Sequence, residues 1–213
     1  KDPVNFALRL TLFMILPATA GLILLREPIV QVLFQHGRFD AEATRTTSWA
    51  LLFFSTGLFA YASVKILASA FYAFQNTRTP VRVGMISFAV NMACNVGIVL
   101  PLGKAGFPAP HALLALSTGL SAFVNSALLF RGLKRAGVYR AAAGWSRLAG
   151  QVLLANVVMA ALLWWTAGDI GGWLDVHAGH RALRLMVCVL GGAAAYFATL
   201  WLCGLRLRHL RRV

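Results

Sequence analysis

Six stretches of this chain contain no Asp, Glu, Lys or Arg: Leu10–Leu25, Thr46–Val64, Val83–Gly103, Ala105–Phe130, Leu148–Gly168 and Leu185–Leu205, of 16, 19, 21, 26, 21 and 21 residues. About 20 consecutive apolar residues cross the hydrocarbon core of a bilayer as a helix. Lipid offers no partner to main-chain N–H and C=O groups, so a spanning segment must be a helix or part of a closed barrel. These runs are apolar all round rather than alternating, which selects helices. The expected fold is an all-α integral membrane protein with six transmembrane helices. They lie near 5–25, 41–74, 80–102 and 109–131 in a first group (residues 1–143), and near 146–168 and 182–204 in a second (144–213). Of the 213 residues, 59% are hydrophobic and only 12% charged, about half the usual charged share of roughly 25%. That composition excludes a soluble enzyme or a soluble nucleic-acid-binding module.

Local signals refine the helix ends. Asp40 is placed to cap the second helix, which reads as one piece from Ala41 to Phe74, about 51 Å long. Thr79-Pro80 reads as N-cap and first residue of the third helix. Pro101 and Gly103 read as its end, and Pro108 and Pro110 precede the fourth. Pro17 is expected to kink the first helix. The apolar segment Pro28–His36, too short to span, reads as a small interfacial helix ended by Gly37.

The net charge of +14, from 20 basic and 6 acidic residues, has a topological explanation. With the N-terminus in the cytoplasm, the inner side holds Lys1, Arg78, Arg82, Arg131, Lys134, Arg135, Arg140, Arg147, Arg206, Arg208, Arg211 and Arg212. The outer side holds half as many basic residues, and five of the six acids. Cytoplasmic loops carry the excess of Lys and Arg, so both termini are expected inside. The basic excess then calls for no nucleic-acid partner. Trp145, Trp164, Trp165 and Trp201 fall at span ends, where aromatic belts form.

Chemistry-bearing residues are few. No acid lies inside a span, and no nucleophile–base set or phosphate-binding glycine loop occurs. The three cysteines, Cys94, Cys188 and Cys203, sit in apolar runs without a metal-ligand spacing. His177 and His180 read as ordinary outer-loop histidines, and no metal or organic cofactor is expected from the motifs. Lys65 and Arg9 are the cations inside spans. Each is a candidate to meet an anionic group in a polar cavity, and each could instead snorkel to the headgroups. Asn91 and Asn95, at i and i+4 on the third span, must face other helices. They read as interhelical hydrogen-bonders or, with Ser117 or Thr118, as oxygen donors to a cation such as Na⁺. Gly191, Gly192 and Ala195 form a small-residue patch for close packing or for a lipid tail.

The stretch Val64 to Arg82 (VKILASAFYAFQNTRTPVR), with Phe71, Tyr72, Thr77, Arg78, Thr79 and Pro80 as its most specific positions, resembles a signature of the MurJ/MviN family. The run from Glu27 to Phe39 and the segment Leu120–Leu129 are similar to the same family. Its members are lipid II flippases of bacterial peptidoglycan synthesis, within the multidrug/oligosaccharidyl-lipid/polysaccharide exporter superfamily.

The resemblance implies that the six spans correspond to helices nine to fourteen of a fourteen-helix flippase in the bacterial inner membrane. The chain would then lack an N-terminal lobe of the same protein. It implies relocation of lipid II by alternating access around a cationic cavity, with membrane lipids as surroundings and a groove in the last two helices for the undecaprenyl tail. It also aligns Asn91, Asn95 and Thr118 with a sodium site of some members, making Na⁺ a candidate coupling ion. Two other readings remain open on the residues alone: an exporter of the same superfamily with another lipid-linked glycan or drug as substrate, and a stand-alone membrane scaffold.

Overall fold

The computed structural model describes residues 3–34, 40–107, 109–137, 144–168 and 178–204. Six of its helical segments are long and apolar enough to cross a membrane. In chain order the elements are α1 (Pro3–Leu24), α2 (Arg26–Phe34), α3 (Ala41–Thr56), α4 (Leu58–Ala73) and α5 (Arg78–Cys94). A π-helical turn (Asn95–Val99) and α6 (Leu100–Lys104) follow, then α7 (Pro110–Arg135), α8 (Trp145–Ala167) and α9 (Ala178–Leu202). The second span comprises α3 and α4, and the third comprises α5, the π turn and α6. Gly37, Pro108, His177 and the basic tail beyond Gly204 lie outside the described residues.

Two apolar cores share α1. Leu8 packs with Leu67, Ala70, Phe71, Val83, Leu129 and Leu133 of α4, α5 and α7. Phe13 and Leu25 pack with α8 and α9 through Val152, Ala155, Met159, Leu163, Tyr196 and Leu200. The first helix therefore joins the two groups of spans that the sequence separates at residue 144. The short helix α2 packs onto α3 and α9 as well as α1, and its Pro28, Val30 and Gln31 are buried. It is thus seated on protein along one side.

Several helix ends differ from expectation for identifiable reasons. The second span is not one continuous α-helix. It breaks at Gly57, whose N–H bonds Phe54 O at 3.1 Å rather than Phe53 O. The Thr56 hydroxyl takes over the Phe53 carbonyl at 2.7 Å, and the Ser55 hydroxyl bonds Leu51 O at 2.6 Å. Such back-bonding bends helices. A side chain at Gly57 has no room: its Cβ would lie 2.8 Å from the Tyr61 ring and 3.0 Å from the Gly119 Cα on α7.

The third span starts earlier than expected. Thr79 is not its cap. Asn76 Oδ1 accepts from the Thr79 N–H at 3.1 Å, and the helix begins at Arg78. Asn76 also ends the helix before it. Its N–H bonds Phe71 O at 3.0 Å while the Gln75 N–H bonds Tyr72 O at 2.9 Å, and Gln75 has φ +55°. That is a Schellman turn with a glutamine in the left-handed position.

Pro101 does not end the third span either. A proline lacks the N–H for the carbonyl four residues back and crowds it. Here the helix widens just before it, with the Leu100 N–H reaching Asn95 O, and continues to Lys104. Gly106, at φ +81°, then closes it with the same Schellman pattern. The sixth span begins at Ala178, so exposed His180 sits in its first turn rather than in a loop. Asp40 caps α3 as expected, accepting from the Ala43 N–H at 2.8 Å.

Two substitutions test this local physics in the intact membrane protein. Gly57→Ala is expected to lower stability by about 1–3 kcal/mol, the usual cost of overpacking. Gln75→Gly is expected to raise it by about 1 kcal/mol by removing the left-handed strain of a residue with a Cβ. Midpoints of thermal unfolding in detergent check both signs.

Candidate functional site

The sequence-derived candidates fall in three places. The first is the seam between α5 and α7. The Ser117 hydroxyl donates to Asn95 Oδ1 at 2.5 Å, and Asn95 Nδ2 donates to Asn91 Oδ1 at 3.2 Å. Asn91 Nδ2 is 3.5 Å from both Ser117 Oγ and Thr118 Oγ1. One turn away, the Ser87 hydroxyl donates to Ser121 O at 2.7 Å. The structure thus gathers Asn91, Asn95 and Thr118, with Ser117, at one point, next to the π turn. Four neutral side-chain oxygens meet there, but both amide nitrogens are turned onto them. No cluster of three His, Cys, Asp or Glu side chains suited to a metal occurs among the described residues. As arranged, the set is a hydrogen-bonded clamp between the third and fourth spans.

The second place is the junction of α1 and α8. Arg9 is 5% exposed, and its guanidinium carbon stands 5.5 Å from the centre of the Trp145 ring. The Trp145 indole N–H donates to Asn5 Oδ1 at 3.1 Å. A cation over an indole face is attracted by the ring quadrupole, about 2 kcal/mol when desolvated. Arg9 is therefore drawn into the protein, not snorkelled outward. Lys65 is placed differently: it is exposed on α4, in line with exposed Ser69 and Tyr72 at i+4 and i+7.

The remaining motif residues form the α4–α5 turn. Phe71 is buried, and a Cβ on Gly132 of α7 would lie 3.1 Å from its ring and 3.9 Å from Thr79 Cγ2. Pro80 is buried, while Thr77 and Arg78 are exposed. The most specific part of the sequence signature is thus a tightly packed helix–turn–helix joint.

The third place was only partly foreseen. An apolar cavity of about 450 Å³ lies between α1, α8 and α9. Gly21, Leu25, Ile29, Leu163, Gly192 and Tyr196 are among its lining residues. The small-residue patch pointed to Gly192, where an added Cβ would meet Leu163 at 3.0 Å. It missed the wall supplied by α1. The signal was Pro17. With no N–H there, the Phe13 carbonyl loses its helical partner, and the Tyr196 hydroxyl supplies one at 2.6 Å. The sequence shows that this carbonyl is orphaned, but not which helix satisfies it.

A family model described as lipid II flippase MurJ matches residues 1–176. The chain belongs to this family. A probable lipid II flippase MurJ of Vibrio cholerae is 35% identical over 208 residues, covering 98% of this chain and 38% of the relative. A lipid II flippase MurJ of Burkholderia cenocepacia is 33% identical over 211 residues, covering 98% and 39%. A solved structure of lipid II flippase MurJ in an inward closed conformation superposes with a TM-score of 0.68 at 23% identity, over 92% of this chain and 39% of that one. That likeness shows the shared fold. The chain spans about two fifths of the length of these relatives. Members of the family are transporters rather than enzymes, and six apolar helices with bacterial relatives make this a multi-pass protein of the bacterial inner membrane.

Asn95→Leu is expected to lower the unfolding midpoint of the intact protein by the equivalent of about 1–2 kcal/mol, the scale of a hydrogen bond between membrane helices. The loss should be equal in sodium and potassium buffers. A loss confined to sodium would instead mark a cation site.

Proposed function

We propose that this chain forms part of a lipid II flippase, moving the undecaprenyl-diphosphate-linked peptidoglycan precursor from the inner to the outer leaflet by alternating access. Family membership supports the class. The observation that carries the reading is the division of its surfaces. A polar stripe bearing Lys65, Ser69 and Tyr72 is exposed on α4, and an apolar cavity lies between α1, α8 and α9. A lipid-linked sugar needs both. Its charged head cannot enter hydrocarbon unpaired without a large cost, whereas its tail gains nothing from a polar wall.

In this reading Lys65 faces the route of the head and pairs with its diphosphate. The rest of the protein completes the cavity around that stripe. Arg9 takes no part in binding the head. Its charge is held against Trp145 and secures α1 to α8. The cavity at α1, α8 and α9 takes part of the tail, in agreement with the groove that the family resemblance implies. The excess of Lys and Arg on the side of Arg78, Arg131 and Arg147 supports a cytoplasmic setting for that side and for both termini. The Asn91–Asn95–Ser117 clamp keeps α5 and α7 together as the lobe moves.

The test is Lys65→Ala in the full-length protein, assayed by growth of cells depleted of their own flippase and by flipping rate in vesicles. A charge-assisted contact is worth about 1.5–3 kcal/mol, so the rate is expected to fall about ten- to a hundred-fold. Protein level should stay the same, and Lys65→Arg should restore much of the rate. Undiminished flipping by Lys65→Ala would remove Lys65 from the substrate route.

A further inference from the structure

We propose that Tyr196 sets how deeply a lipid chain enters the cavity between α1, α8 and α9, which makes it the specificity-determining residue for the length of tail gripped there. The proposal rests on the reading that this cavity takes part of the substrate's tail.

The three-helix junction is hollow in one half and solid in the other. Towards the α2 end its lining residues are Leu25, Ile29 and Leu163. Towards the opposite end the same helices are packed solid by Leu148, Val152, Ala155 and Leu200, all buried. The change occurs at a floor made by Phe13, Met159 and Tyr196, which line the cavity's inner limit. From Phe13 to Leu25 a helix rises about 18 Å, about half of a hydrocarbon core of roughly 30 Å. A chain entering from the α2 side would therefore meet the floor near mid-membrane.

Tyr196 is the fixed part of that floor. It is 1% exposed, and its hydroxyl is bound to the Phe13 carbonyl that Pro17 leaves without a helical donor. Its ring is held edge-on by Phe13, with centroids 5.9 Å apart, and by Phe197 at 5.5 Å. Swinging the ring aside would strand a carbonyl in hydrocarbon, at a cost of several kcal/mol. The rim differs. Met14, Val189 and Phe197 are about half exposed or more, so on this chain the cavity opens sideways. A chain can enter and leave, but it cannot pass the tyrosine. Chain beyond the length of the cavity must turn out through this rim.

The experiment uses the full-length protein in nanodiscs and polyprenyl phosphates of increasing length, each with a diazirine on the terminal isoprene. Crosslinked residues are mapped by mass spectrometry. In the wild type, probes short enough to fit should label Phe13 and Met159. Longer ones should label the exposed rim at Met14 and Val189, and none should label Val152 or Leu200. Tyr196→Leu, and independently Met159→Ala on the other side of the floor, should carry the label inward to Val152 and Leu200. Tyr196→Phe keeps the ring and should keep the wild-type map while lowering thermal stability. An unchanged map in both Tyr196→Leu and Met159→Ala would overturn the role of the floor. A wild type that labels no cavity residue with any probe would overturn the tail-site reading itself.

Discussion

In hydrocarbon every main-chain carbonyl must find a donor within the protein, and this fold is organised by the places where the helix alone cannot provide one. Pro17 frees the Phe13 carbonyl, and a tyrosine from α9 answers it. The break at Gly57 frees the Phe53 carbonyl, and the neighbouring Thr56 hydroxyl answers it. Before Pro101 the ladder shifts by one residue to give a π turn, a common form of relief beside a proline. At helix ends, Arg184 donates to Ala167 O at 3.1 Å and Gln151 to Cys203 O at 2.8 Å. Each repair either ties two helices together or bends one. Tertiary structure here follows from local defects as much as from apolar contact. Apolar contact alone discriminates weakly in a membrane, because lipid tails are as apolar as leucine.

The position of α1 follows from the same logic. Its two faces serve two cores, Leu8 with α4, α5 and α7, and Phe13 with α8 and α9. At one end Trp145 and Asn5 hold α8. Near the middle Tyr196 holds α9. Between those points the last two helices pack closely through Leu148, Val152, Ala155 and Leu200. Beyond Tyr196, towards α2, the junction opens into the cavity. A groove for a flexible chain needs this arrangement: rigid attachment above the cost of thermal motion, with an unfilled interval beside it.

The spans were legible because length and lack of charge suffice to specify a membrane helix. The Asp40 cap was legible because its side chain acts on its own neighbourhood. The gathering of Asn91, Asn95, Ser117 and Thr118 was legible in part, since i and i+4 share a face and buried amides seek partners. What they do together was not, because the direction of an amide depends on the opposing helix. The break at Gly57 is not legible in the sequence because a glycine in a membrane helix is ordinary. Its meaning comes from Gly119, 62 positions later in the chain. The Thr79-Pro80 pair was misread as a cap because Asn76, three residues earlier, serves both helices at once. That double use follows from the left-handed Gln75, a conformation the residue type does not announce.

The division between polar and apolar surface bears on mechanism more directly than any single residue. A protein that only bound a lipid-linked sugar could hold head and tail on neighbouring walls. A protein that turns the head across the membrane must let the two halves part, since the head crosses while the tail stays in hydrocarbon. Lys65 lies on the exposed face of α4, and the cavity lies beyond α1, with the packed core of Leu8, Leu67 and Phe71 on the α4 side of that helix. A substrate held at both would therefore straddle α1, and motion of its head along α4 would pull on a tail restrained at the Tyr196 floor. The restraint must then be loose enough to allow exchange and deep enough to orient the head. A cavity blind at its inner end and open along one side meets both demands.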